Sequence, residues 1–102
     1  MTVTVNSAEE AHAIAAREVI ATSRHDLVLR TDMTQEHDFG WVVYPTTRRF
    51  LETGHPRDTI PGLGPVVVTR TGEVMPLSTS VPPARAIETF REMWRGYTTR
   101  SD

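Results

Sequence analysis

Apolar residues recur at helical spacing near both ends of this chain and at strand spacing between them. That change of period constrains the fold more than any single motif does. Near the start, Ala8, Ala11, Ala15 and Val19 form a narrow stripe of small side chains, with Ile14 and Ile20 on opposite flanks. Ser7-Ala8-Glu9-Glu10 has the S-x-x-E form, in which Ser7 and Glu10 satisfy each other's amides at a helix start. A helix over about residues 8–21 is expected. At the other end Ile87, Phe90, Trp94 and Tyr97 are spaced 3, 4 and 3, while Arg85, Glu88, Glu92 and Arg95 occupy the opposite side. Pro82 and Pro83 suit the first turn of this second helix, with Ser80 as its candidate cap.

Between the helices the period is two. Leu27, Leu29, Thr31 and Met33 alternate with Val28, Arg30, Asp32 and Thr34, which predicts a half-buried strand. "QEHDFG" reads as a turn, and a second strand follows from Trp41 to Pro45. Residues 48–53, "RRFLET", read as a third short strand, ahead of the loop "GHPRDTIPGLGP". Val66-Val67-Val68 is an apolar run of the kind that a sheet buries on both faces. Thr71-Gly72 supplies turn chemistry, and "EVMPLST" returns as a partner whose Pro76 predicts an edge. The order is helix, strands with short connections, helix. It predicts an α+β fold with an antiparallel sheet of about four or five strands, flanked by an N-terminal and a C-terminal helix.

A chain of 102 residues is one domain, 1–102, and can bury a core without a disulfide or a metal staple. Its net charge is −2, with neither the basic balance nor the basic stripe that nucleic-acid binders carry, so no nucleic-acid partner is expected. All eleven basic residues are arginine, so every cation carries the planar fork that pairs with carboxylates. Cysteine is absent, which removes thiol catalysis and zinc–thiolate sites. "MTVTVNSAEE" has no basic and apolar leader pattern, and no apolar run reaches membrane-span length. The expected location is cytoplasmic, with no membrane contact.

Catalytic signals are weak. His12, His25, His37 and His55 lack metal-ligand spacing, so no metal or other cofactor is expected. Gly62-Leu63-Gly64-Pro65 lacks the Lys-Ser/Thr of a phosphate loop and leads into a strand, which makes it a tight turn. Asp32, Glu36 and Asp38 cluster near a turn, where charges are usually just solvated. No catalytic residues are assigned and no enzyme is expected. Trp41 has Phe39 and Val43 at two-residue spacing, and reads as core beside them.

The run "GWVVYPTTRRFLETG", followed by "IPGLGPVVVTRTGEVMPLST" and a helix, resembles the immunity protein 35 family, also called the YrhB domain. The resemblance covers nearly the whole chain. It implies a small bacterial protein that neutralises a toxin encoded nearby, by binding it as a stoichiometric inhibitor. A chaperone-like role is the alternative. The family offers no catalytic residues to carry over, and its recurrent positions read as fold determinants: Gly40, Trp41, Gly54, Gly62, Pro65 and Gly72; Gly64, where Leu63-Gly64 departs from the family's pattern, is a structural candidate as part of the tight turn. Phe90 and Trp94 join them from the second helix face.

The partner-binding candidate is the longest loop, Gly54 to Gly64, with Arg48 and Arg49 close by. Arg48, Arg49 and Arg57 can grip carboxylates, and Ile60 and Leu63 offer a small apolar centre. His55 and Asp58 complete the set. Apolar surface outside the core faces is expected only at Ile60, Leu63 and Val81, which favours a dedicated partner over many clients.

Overall fold

The structure, a computed structural model, describes residues 4–99, with the side chains of 97–99 outside the description. Tyr97, the fourth member of the predicted helix face, is among those side chains. Helix α1 spans Ala8–Ala15 and runs on through a wider π turn, Ala16–Ile20. Ser7 Oγ accepts the Glu10 N–H at 3.2 Å, so the predicted cap forms. The reciprocal half does not, because the Glu10 carboxylate takes the Ser7 hydroxyl at 3.4 Å in place of the amide.

The predicted first strand is broken in two. β1, Leu27–Leu29, pairs antiparallel with β4, Pro45–Thr47, and β2, Gln35–His37, pairs with β3, Gly40–Val43. The two ladders are halves of one long hairpin. Its first arm takes six steps from Leu29 to Gln35, where the second takes three from Pro45 to Val42. The surplus is ejected as a 3₁₀ turn, Thr31–Met33, in the manner of an enlarged bulge. Gln35–His37 is thus strand, and the turn shrinks to Asp38-Phe39.

β3 continues the sheet to β5, Val66–Thr69, and β5 to the edge strand β6, Val74–Pro76, giving the order β2-β3-β5-β6 with every pair antiparallel. Trp41, Val43, Val66 and Val68 face α1, where they bury Ala11, Ile14 and Ala15 together with Val5. Val42 and Val67 face helix α3, Pro83–Thr99, with Phe39, Ile87 and Phe90. The helices therefore cover opposite faces, and both faces of the valine strand are dry, as its unbroken apolar run predicts. The domain is α+β, with the N- and C-terminal helices either side of the sheet.

Phe39 does not share the face of Trp41. Gly40 stands between them at φ 143°, which breaks the alternation and turns Phe39 onto the α3 side. A Cβ at Gly40 would lie 2.2 Å from the Val68 carbonyl oxygen, so the backbones approach there as only glycine permits.

Residues 48–53 form a helix, α2, and not the predicted strand. Thr47 Oγ1 accepts the Phe50 N–H at 3.0 Å, and Gly54, at φ 66°, closes the helix with its N–H on the Phe50 carbonyl at 2.7 Å. Arg, Leu and Glu are good helix formers, and the caps at both ends let their preference decide the segment. At α3 the bond from Ala86 N–H to the Pro82 carbonyl, 3.1 Å, puts the cap position at Pro82. Ser80 instead shares its hydroxyl with Ser78 at 2.7 Å.

Candidate functional site

The capped turn of α2 brings Arg48 and Arg49 to the rim of an open depression of about 550 Å³. A 3₁₀ turn, Pro56–Asp58, forms the facing wall and adds Arg57 and Asp58, with Ile60 behind. Five of the seven predicted partner-binding residues therefore converge: Arg48, Arg49, Arg57, Asp58 and Ile60. His55 and Leu63 do not line the hollow. His55 is occupied as a cap, its Nδ1 accepting the Arg57 N–H at 3.3 Å. Leu63 is half-buried further along the loop, its N–H on the Ile60 carbonyl at 3.1 Å.

Asp58 faces inward and pins the wall of the hollow. Its carboxylate takes the Thr53 hydroxyl and pairs with Arg49 Nε at 3.2 Å, leaving the side chain 11% exposed. Its carbonyl accepts from Thr47 Oγ1, the same hydroxyl that caps α2. The Thr53 hydrogen bond pulls the Asp58 pKa below its ordinary value; burial opposes this, and the charges of Arg49, Arg57 and His55 add to it. Arg48 is held through Nε on Asp26 at 3.0 Å. Arg57 makes no ion pair among the described residues and is exposed, so its whole fork is available.

Sequence reasoning missed His25, Asp26, Thr47, Glu52 and Thr59, which also line the hollow. His25 and Asp26 arrive from the far side of the hairpin, and no local pattern announces that. With Asp26, Glu52 and Asp58 set among the three arginines, the depression is mixed in charge.

The acidic turn is consumed within the chain. Asp32 receives Arg30 through two nitrogens, at 3.2 and 2.9 Å, and that hydrogen bonding lowers its pKa. Glu36 pairs with Arg70 at 3.1 Å. Asp38 pairs with Arg95 at 3.1 Å and Arg91 at 3.5 Å; desolvation would raise its pKa, and those arginines lower it on balance. The histidines sit apart, and among the described residues no three His, Asp or Glu side chains converge as metal ligands.

Of the residues expected to fix the fold, Gly54 closes α2 at the hollow and the others lie away from its lining. Trp41 is buried, with the Arg70 guanidinium stacked 4.7 Å from its ring centre. Pro65 is buried at the entrance to β5, Gly62 and Gly72 sit in turns, and Gly64 backs onto Thr79. Phe90 and Trp94 flank Phe39, at ring separations of 4.9 and 6.4 Å.

Apolar surface is not confined to Ile60, Leu63 and Val81. A groove runs between α3 and the edge strand β6, as two adjoining hollows of about 450 and 360 Å³. Met75, Phe90 and Met93 are common to both, with Phe39 and Trp94 at one end and Leu77 and Val81 at the other. Met93 is 62% exposed and Met75 36%. Met93 lies one step off the Phe90–Trp94 stripe, a signal that the sequence did contain.

Fold and surface define a small α+β protein with open hollows on its surface. A family model described as Immunity protein 35 matches residues 9–96, from the first turn of α1 to the body of α3. The chain belongs to that family. No curated protein and no solved structure matches it. Among the described residues no helix is long and apolar enough to cross a membrane.

Proposed function

We propose that this chain is an immunity protein which binds one cognate toxin, encoded beside it in a bacterial genome, and blocks it stoichiometrically in the cytoplasm. Membership of the Immunity protein 35 family carries this reading. The chain acts by occupying a surface of its partner, without catalysis of its own. The α2 hollow supports a docking role, since Arg57 presents an unspent fork beside Ile60 while Asp58 and the α2 caps keep the wall rigid. Pro56 and Pro61 lower the entropy that this loop would lose on docking.

The experiment is a titration of the parent, Arg57→Ala and Ile60→Ser against the product of the adjacent toxin gene, with melts alongside. The parent should bind one to one and suppress the toxin's activity, and folded variants should bind at least about tenfold more weakly. A parent that leaves the toxin active and unbound would overturn the reading.

The apolar groove favours a second reading, a chaperone-like domain that holds apolar segments of many chains. Methionines at a binding surface adapt to varied partners. Met93→Glu should abolish protection of an aggregating client and leave one-to-one toxin binding intact.

A further inference from the structure

We propose that His37 is an acid-sensitive latch, holding α3 to the β2–β3 turn only while its imidazole is neutral. The ring lies flat against Phe39, with centroids 4.9 Å apart and planes 12° from parallel. Its Nδ1 is 2.6 Å from an Arg91 Nη, and its Nε2 is 3.1 Å from Gln35 Oε1. A guanidinium can only donate, so Nδ1 must accept with a bare lone pair, and the ring's one proton sits on Nε2, facing Gln35. A second proton at Nδ1 would cancel that bond and set an imidazolium against a guanidinium at the same distance.

The surrounding charges do not rescue the protonated form. From α3 come Arg91 and Glu88, already paired with each other at 2.8 Å. The turn contributes Asp38, which favours an imidazolium, and its carboxylate is engaged by Arg95 and Arg91. Arg70 donates to the His37 carbonyl at 2.8 Å and draws Glu36 away to itself. Tyr44 lines the hollow beside the ring. Burial and the Arg91 charge together lower the histidine's pKa from 6.5, against the pull of Asp38.

The sign follows from which state takes the proton first. The unfolded chain protonates His37 near 6.5 and the folded chain only at lower pH, so the latch contributes its full stability above that value. The contribution falls as pH drops from 6.5 through the folded pKa. Asp38, held below 3.8, stays ionised through this window, so its pairs with α3 persist. What loosens is the α3 flank over Phe39 and Phe90, and with it one wall of the apolar groove. This device is independent of which partner the chain binds.

Melting temperatures of the full chain between about pH 7.5 and about pH 5 test it. The parent should lose at least about 2 °C across that range, which is resolvable for a domain of this size. His37→Gln keeps an oxygen that can accept from Arg91 but does not titrate, and should show a clearly flatter profile. Amide exchange in α3, corrected for the intrinsic pH effect, should quicken at the acid end in the parent and not in His37→Gln. A His37→Gln profile as steep as the parent's would overturn the proposal. Should that variant fail to fold, an NMR titration of the His37 ring in the parent decides. A folded pKa below 6.5 that rises in Arg91→Gln supports the latch, and a value at or above 6.5 removes it.

Discussion

Gly40 shows how much one residue can decide. Its positive φ sends Phe39 and Trp41 to opposite sides of the sheet, and its missing side chain lets β3 lie against β5 where a Cβ would come 2.2 Å from the Val68 carbonyl oxygen. Gly40→Ala adds a methyl that nothing can easily yield to, since the obstacle is the paired backbone of Val68 and Thr69. The expected cost is about 3 kcal/mol or more, read by chemical denaturation. Gly54→Ala meets open space and only the strain of a left-handed residue, so about 1 kcal/mol is expected there. Equal costs at the two positions would show that conformational strain alone, and not the close approach, governs Gly40.

At the scale of the element, α2 is six residues held by its ends, too short to persist without them. Thr47 serves twice, capping Phe50 N–H and donating to the Asp58 carbonyl that fixes the opposite wall of the hollow. Thr47→Ala should cost about 1–2 kcal/mol and loosen the wall. Thr47→Ser, which keeps the hydroxyl, should recover most of that stability. Failure of serine to recover it would mean that the threonine methyl, and not the hydroxyl, matters.

For the whole molecule, arginine–carboxylate pairs tie the β2 edge to the end of β5 and the β2–β3 turn to α3, and their pH dependence has a defined shape. Asp32, Asp38 and Asp58 are each held below the ordinary 3.8. Carboxylates depressed in the folded state stabilise it above 3.8 and lose that contribution as pH falls through their folded values. Acid unfolding should therefore show two limbs, one below 6.5 that His37→Gln flattens and one below 3.8 that it leaves in place. A single limb at 3.8 and below in the parent would assign all acid sensitivity to the carboxylates. The Thr53→Val variant should raise the Asp58 pKa toward 3.8, which carbon-detected NMR can follow.

Much of this architecture is local chemistry that the amino-acid order already contains. The Ser7 cap, the alanine stripe, the unbroken valine run, the Pro76 edge and the Ile87–Phe90–Trp94 face each follow from residue type and spacing, and together they specify two helices around an antiparallel sheet. Thr47 and Gly54 also marked α2 from cap to cap, but a six-residue segment with only Phe50 and Leu51 apolar shows no helical period, and it read as a strand. What depended on tertiary structure was everything set by residues distant along the chain. Side-chain alternation cannot say which face Phe39 takes once Gly40 reverses the backbone, nor which face each helix covers. The α2 hollow needed Asp26 to meet Arg48, and the groove needed Met75 and Met93 brought together from strand and helix. The latch needed His37 beside Arg91. Such pairs cost loop-closure entropy that only the assembled core offsets, so their energy belongs to the folded chain and leaves no short-range pattern in its sequence.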